Sequence, residues 1–252
     1  MELCAKTAAV EDVSPWRDSY RLEMSCQIVH DSIHYRPGWT QEDVLLAGGA
    51  KVGYGSIAVA GPWKGTPTVY EFYVVPQHRS RVFELFSVLL SASGAIAIET
   101  QSNDASLTVM LHTFAPRASS ESVLFHDKLT SSYSPAGAKV RRATLEDAAQ
   151  VVSRDLDSDA HWIVEVEGEI AGTGDILFHY NRPYGDIYMT ITEPFRRRGF
   201  GSYLVQELKR ICYEGGNVPA ARCNTQNIAS RKTLQKAGFV PCGHILAGLV
   251  ST

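Results

Sequence analysis

The stretch DIYMTITEPFRRRGFGSYLVQELKRIC, residues 186–212, holds the reading on which the fold turns. Its first seven residues alternate with period two, placing Asp186, Tyr188, Thr190 and Thr192 on one face and Ile187, Met189 and Ile191 on the other, as a strand requires. Past Glu193 and Pro194 the period changes. Leu204, Leu208, Ile211 and Cys212 recur at helical spacing, with Gln206, Glu207, Lys209 and Arg210 on the opposite face. Between strand and helix lies RRRGFG, residues 196–201. A basic, glycine-containing turn that opens a helix suits a diphosphate: glycine lets the backbone approach without a Cβ, the first helical amides lack intrahelical acceptors, and the helix dipole is positive there. Arg196, Arg197 and Arg198 add charge.

Working outward, the chain repeats itself. GAKVGYGSI at residues 49–57 and GEIAGTGDI at residues 168–176 share three glycines and an isoleucine in register, with Val52 opposite Ala171. Each copy is followed by a turn-rich stretch, a strand pattern (VYEFYVV, DIYMTIT), a proline (Pro76, Pro194), basic residues and an amphipathic helix. ETQSNDAS, residues 99–106, echoes in NTQNIAS, residues 224–230. Two copies of one α/β unit are expected, at residues 1–134 and 139–252, with the seam in SSYSPAGAK, residues 131–139, whose composition is that of a linker. Aligning Pro76 with Pro194 puts Arg81 and Phe83 where the second copy has Gly199 and Gly201, so the first copy is expected to have lost the anion site and to serve structure or substrate binding.

The second copy resembles the GCN5-related N-acetyltransferase (GNAT) family. Arg196-x-x-Gly199-x-Gly201 is similar to that family's coenzyme A pyrophosphate loop, and Asn227-Ile-Ala-Ser230 with Leu234-Gln-Lys-Ala-Gly238-Phe239 resembles its asparagine-capped helix and Gly-Phe stop. Asn227 is also a good N-cap, and Gly238 falls where a left-handed residue ends a helix. The resemblance implies two tandem GNAT-type α/β (α+β) units, each a mixed, mostly antiparallel sheet flanked by helices, the first degenerate and the second catalytic. It implies acetyl-CoA as cofactor, held by Arg196, Arg197, Arg198, Gly199, Phe200, Gly201 and Ser202, by the backbone at Ile191 and Thr192, and by Asn227 and Ser230. It implies N-acetylation of a primary amine, on a small molecule or a peptide, by direct attack on the thioester.

For the base, Asp186 comes first, Tyr188 is a second polar group in the cleft, and Glu193 follows in the turn. The family's tyrosine acid falls at Leu234, so Tyr180, Tyr184, a cysteine or water would replace it, or no acid is used. His161 and His179 lie near the hairpin and fit surface positions as well as a base. Asp155, Asp157, Asp159, Glu165, Glu167 and Asp175 gather before the cofactor motif; lining the cleft, they would favour a cationic amine. Two other readings fit the same motifs: a coenzyme A-binding or sensing module without turnover, and an acyltransferase with a longer acyl-CoA or carrier-protein donor.

The bulk composition is that of an ordinary globular protein. The 252 residues carry a net charge of −3 and are 44% hydrophobic, which suggests no nucleic-acid partner and supplies material for two cores. No leader pattern and no apolar run of membrane-spanning length is seen, so a cytoplasmic monomer or homodimer is expected. Five cysteines, scattered and without a CxxC pair, read as small apolar fillers, and no metal site is expected.

Overall fold

A computed structural model describes residues 2–251. The chain forms two compact units. The N-terminal unit runs to Ser122 and takes in the chain again from Gly243. It contains β1 (Leu3–Ala8), α1 (Val10–Met24), β2 (Thr40–Ala47), β3 (Ala50–Ala58), β4 (Thr68–Val74), α2 (Val82–Ser93), β5 (Ala97–Gln101), α3 (Ala105–Phe114) and the first half of β6 (Ala118–Asp127). The C-terminal unit, Val123–Cys242, contains the rest of β6, β7 (Ala138–Arg142), α4 (Ala148–Ser153), β8 (Trp162–Val166), β9 (Glu169–Leu177), β10 (Tyr184–Ile191), α5 (Phe200–Glu214), β11 (Val218–Asn224), α6 (Ile228–Lys236) and the start of β12 (Phe239–Leu249).

This division differs from the expected seam at residues 131–139. Two long strands, β6 and β12, each pass from one unit to the other, and residues 245–249 pair antiparallel with β5, Ile245 opposite Gln101 and Leu249 opposite Ala97. The chain's last strand thus completes the N-terminal unit's sheet. The segment with linker composition is packed into the C-terminal unit: the Tyr133 amide donates to Gln206 Oε1 on α5 at 2.7 Å, and Ser131 Oγ to the Ala237 carbonyl at 3.3 Å. Its polar side chains satisfy helix groups, which composition alone does not reveal.

In each unit the hairpins are antiparallel, β1 to β4 and β7 to β10, and a parallel pair forms where a strand leaves for a helix and returns: β4 beside β5, and β10 beside β11. Those parallel pairs are short. Tyr184, Gly185 and Asp186 pair with Val218, Pro219 and Ala220, after which β10 continues to Ile191 and β11 to Asn224 as the two strands part. The fork so formed is the feature that positions the site.

The alternation read from the sequence holds on β10. Ile187 and Ile191 are buried in the core with Leu204, Val205 and Leu208 of α5, and Met189 packs against it. Asp186 and Tyr188 face the other side. Glycines let the helix press close: a Cβ on Gly174 would meet Leu208 Cδ1 at 3.0 Å, and one on Gly201 would meet Thr233 Cγ2 at 3.2 Å and Ile191 Cγ1 at 3.4 Å. Cys223 is a small filler of this core, and Cys212 is buried on α5. Among the described residues no helix is long and apolar enough to cross a membrane.

Candidate active site

The turn between β10 and α5 is built from two left-handed residues. Arg197 has φ 61° and Gly199, the N-cap of α5, has φ 90° with ψ −9°. Before them a short 3-10 turn, Glu193–Phe195, closes with the Arg196 amide donating to the Glu193 carbonyl at 3.1 Å. The next backbone bond is from the Tyr203 amide to Gly199 at 3.0 Å. Among the described residues, the amides of Arg197, Arg198, Gly199, Phe200, Gly201 and Ser202 have no protein acceptor. A run of unpaired amides at the N-terminus of a 15-residue helix is an anion-binding arrangement.

The residues around the turn divide their work. Phe200 and Ser202 are buried and anchor the first helical turn. A Cβ on Gly199 would meet nothing within 4 Å, so that face is open; Gly201 serves packing, as its contacts with Thr233 and Ile191 show. Arg196 folds back, its Nε donating to the Ile191 carbonyl at 2.8 Å. Arg198 lies over the rings of Phe195 and Phe200, 5.6 Å and 5.1 Å from their centroids. Arg197 is exposed at the bend.

Inside the fork, ladder parity decides which backbone groups are available. The Thr192 amide donates to the Ala171 carbonyl on the β9 side at 2.9 Å, and in an antiparallel ladder successive residues turn their N–H and C=O to opposite sides. Ile187, Met189 and Ile191 therefore turn theirs into the fork. This corrects the expectation for Thr192, whose amide is already committed, and brings in Met189, which that parity could have indicated. Asn227 caps α6, its Oδ1 accepting from the Ser230 amide at 3.0 Å, which leaves Nδ2 as its donor toward a ligand.

On the opposite face, Asp186 is only 5% exposed and sits at the last β10–β11 pair. His179 Nε2 is 2.7 Å from its Oδ2, and Arg222 Nε is 3.5 Å from the same atom. Tyr188 donates to Asp157 Oδ2 at 2.6 Å; burial first, then that carboxylate with Asp175 and Asp159 nearby, pushes the Tyr188 hydroxyl well above its ordinary range. His161 Nδ1 is 2.5 Å from Asp175 Oδ2. The structure thus gathers Asp186, Tyr188, Asp157, Asp159 and Asp175 with two histidines on one side of β10. Glu193 is not among them: it is exposed beyond the far end of the strand, seven positions from Asp186, a span of roughly 20 Å.

The N-terminal unit repeats the frame with a different outcome. Arg79 Nε donates to the Val74 carbonyl at 3.0 Å as Arg196 does to Ile191, and Gly55 lies under Leu89 as Gly174 lies under Leu208. From Arg79 to Leu89 is ten positions, and from Arg196 to Leu208 is twelve, so the first copy's turn is two residues shorter. The expected match of Arg81 and Phe83 with Gly199 and Gly201 is therefore corrected. A 3-10 turn, Pro76–Arg81, runs straight into α2, and the Val82 amide is spent on the Arg79 carbonyl.

The other face of β4 is filled as well. Glu71, 1% exposed, accepts from Arg17 Nε at 3.2 Å and from the Tyr54 hydroxyl at 2.9 Å. His34 lies between Glu42 Oε1, 2.9 Å from Nδ1, and Glu71 Oε1, 3.1 Å from Nε2. Burial alone would lower the His34 pKa, but the two carboxylates lift it to about 9; burial alone would raise Glu71, but His34 and Arg17 pull it well below the usual carboxylate range. Asp31 pairs with Arg17 at 2.7 Å and with Arg21.

The strand, turn, helix and fork are those of an acyl-CoA N-acyltransferase, and the comparisons agree. The sequence profile of the acetyltransferase (GNAT) family matches residues 125–239, and the C-terminal domain belongs to that family. A search of curated proteins gives no significant match. Among solved structures, an acetyltransferase of the GNAT family from Colwellia psychrerythraea superposes with TM-score 0.75 at 13% identity, covering 98% of this chain and 99% of that one. A tandem GNAT protein from the clavulanic acid biosynthesis pathway, solved without acetyl-CoA, gives 0.65 at 15% identity over 100% and 99%. A GCN5-related N-acetyltransferase from Sphaerobacter thermophilus gives 0.62 at 13% identity over 99% and 96%. These likenesses are of fold, here the fold of tandem GNAT units.

Proposed function

We propose that the C-terminal domain binds acetyl-CoA and transfers its acetyl group to a primary amine that carries positive charge in solution, while the N-terminal domain is a degenerate copy without a cofactor site. The observation that carries this is the row of unpaired amides from Arg197 to Ser202 at the start of α5. They would hold the diphosphate, with Arg197 nearest the solvent side and Arg196, Arg198, Gly199, Phe200 and Gly201 shaping the bend. The pantetheine arm would lie in the fork, against the backbone of Ile191 and Met189, with Asn227 Nδ2 and Ser230 on the α6 side. That course brings the thioester toward the apex at Asp186.

Acyl transfer needs a neutral amine, a polarised carbonyl and a proton for the leaving thiolate. Fork-facing amides of β10 would polarise the carbonyl. The side chains on the other face, Asp157, Asp159, Asp175 and Asp186, favour a cationic acceptor by attraction. The reading is tested by titration calorimetry of acetyl-CoA with the full chain and with Gly199→Glu. Binding by the first and its loss in the second support it; no binding by the native chain refutes it.

A further inference from the structure

We infer that His179 is the group that takes the acceptor's proton, and that Asp186 is a positioning residue that holds it. The inference rests on the proposed function. Asp186 is the obvious carboxylate on this face, but it is buried, and its Oδ2 is shared between His179 Nε2 at 2.7 Å and Arg222 Nε at 3.5 Å. With Oδ2 so committed and the residue 5% exposed, Asp186 is less open to an incoming amine than His179 is. His179 is 22% exposed in its side chain and belongs to the β9–β10 hairpin, at the end of β10 where the fork closes. With Nε2–H donating to Asp186, the imidazole presents the Nδ1 lone pair.

The surroundings fix that tautomer. Arg222, on β11, approaches the same Oδ2 of Asp186 at 3.5 Å, and a carboxylate oxygen flanked by a guanidinium only accepts, so Nε2 is the donor. Tyr180 packs edge-on against the imidazole, ring centroids 4.8 Å apart, and its other face lies under the Arg222 guanidinium at 5.9 Å. Burial, then Asp186, holds the Tyr180 hydroxyl well above its ordinary range, so this phenol stays protonated beside the pair; Cys242 is the remaining titratable neighbour. The ring is thus oriented by a carboxylate, an arginine and an aromatic edge.

The chemistry balances. Nδ1 takes one proton from the ammonium of the acceptor, the neutral amine nitrogen attacks the thioester carbonyl carbon, and a C–N bond forms. Collapse of the tetrahedral adduct breaks the C–S bond; the thiolate leaves with the electron pair and takes the second amine proton, giving the amide and coenzyme A thiol. The imidazolium then returns its proton to water.

The test measures thiol release from acetyl-CoA by the full chain, with water alone and with a panel of primary amines including polyamines, from pH 6 to pH 9, beside calorimetry of acetyl-CoA. His179→Gln is expected to lower turnover by about 100-fold or more and to abolish the rise of rate with pH, with acetyl-CoA affinity within about twofold of native. Asp186→Asn should cost about 10-fold, as loss of an orienting partner does. Imidazole added to His179→Gly should restore part of the rate, which a merely structural role would not allow. Native turnover in His179→Gln, or an unchanged pH profile with no rescue, overturns the dyad and leaves the acetyl-CoA reading standing. A native chain that binds acetyl-CoA but releases no thiol in any arm overturns the dyad together with turnover, and one that does not bind it overturns both at their root.

Discussion

The strand-to-helix turn appears twice in this chain, and the two copies part company within a dozen residues. After Ile191 the chain bends through Arg197 and Gly199, both left-handed, and leaves the first amides of α5 unpaired. After Val74 it coils directly through Pro76–Arg81 into α2, and the Val82 amide that opens the helix is spent on the Arg79 carbonyl. Both copies keep the arginine that ties back to the strand end, and both keep the fork; between β4 and α3 a cleft of about 280 Å³ remains, lined by Phe72, Val74, Val82 and Met110. On the proposed reading the two-residue deletion, and not side-chain bulk, is what removes the anion site from the first copy. On the opposite face the polar residues are also used differently. In the C-terminal unit Asp157, Asp159 and Asp175 stand with Tyr188 and an exposed His161; in the N-terminal unit Arg17, Arg21 and His34 pair with Asp31, Glu42 and Glu71 inside the fold.

Four experiments press on that comparison. Glu71→Gln leaves Arg17 and His34 buried with one counter-charge fewer and should destabilise the N-terminal unit by about 3–5 kcal/mol in denaturant unfolding, with acetyl-CoA affinity unchanged. An equal loss of affinity would mean the units are not functionally separate. Gly199→Glu sets a carboxylate against the diphosphate and should weaken acetyl-CoA by about 100-fold or more by calorimetry, since like charges in contact cost several kcal/mol. Its circular dichroism should show the fold retained, since a Cβ there meets nothing within 4 Å, with a lower melting temperature from the strain of an L residue at φ 90°.

The third experiment is a pH titration of thermal unfolding. The folded pKa of His34 is raised to about 9 from an unfolded value of 6.5, so its contribution is complete below pH 6.5 and fades as pH rises through 9. Between pH 7 and pH 9 the N-terminal unit should lose about 2 kcal/mol. His34→Gln should remove that slope; a slope that persists in the variant assigns it to another group. The smallest effect is expected from Arg81→Gly with Phe83→Gly: acetyl-CoA stoichiometry stays as it was, because the turn is still two residues short. A second binding event in that variant would show that bulk, and not length, closes the site.

Much of the C-terminal site could be read from residues 186–212, because strand and helix periods are local and the basic glycine turn lies between them. The repeat was legible for the same reason. What the sequence hid is long-range or a matter of register. Pro76 over Pro194 offers an alignment without gaps, and only the shared positions of Arg79 with Arg196 and of Leu89 with Leu208 expose the deletion. Linker composition in residues 131–139 misplaces the seam, since its amides and hydroxyls bond α5 and the end of α6. The pairing of residues 245–249 with β5 joins segments far apart in sequence. His179 reads as a surface residue until β10 places Asp186 beneath it.

The most direct measurement is calorimetric titration of the native chain with acetyl-CoA, counting sites. One cofactor per chain, with heat abolished by Gly199→Glu, is the result that follows from one open turn and one closed turn. Two cofactors per chain, or one that survives Gly199→Glu, would place the diphosphate somewhere other than the bend at Arg197 and Gly199.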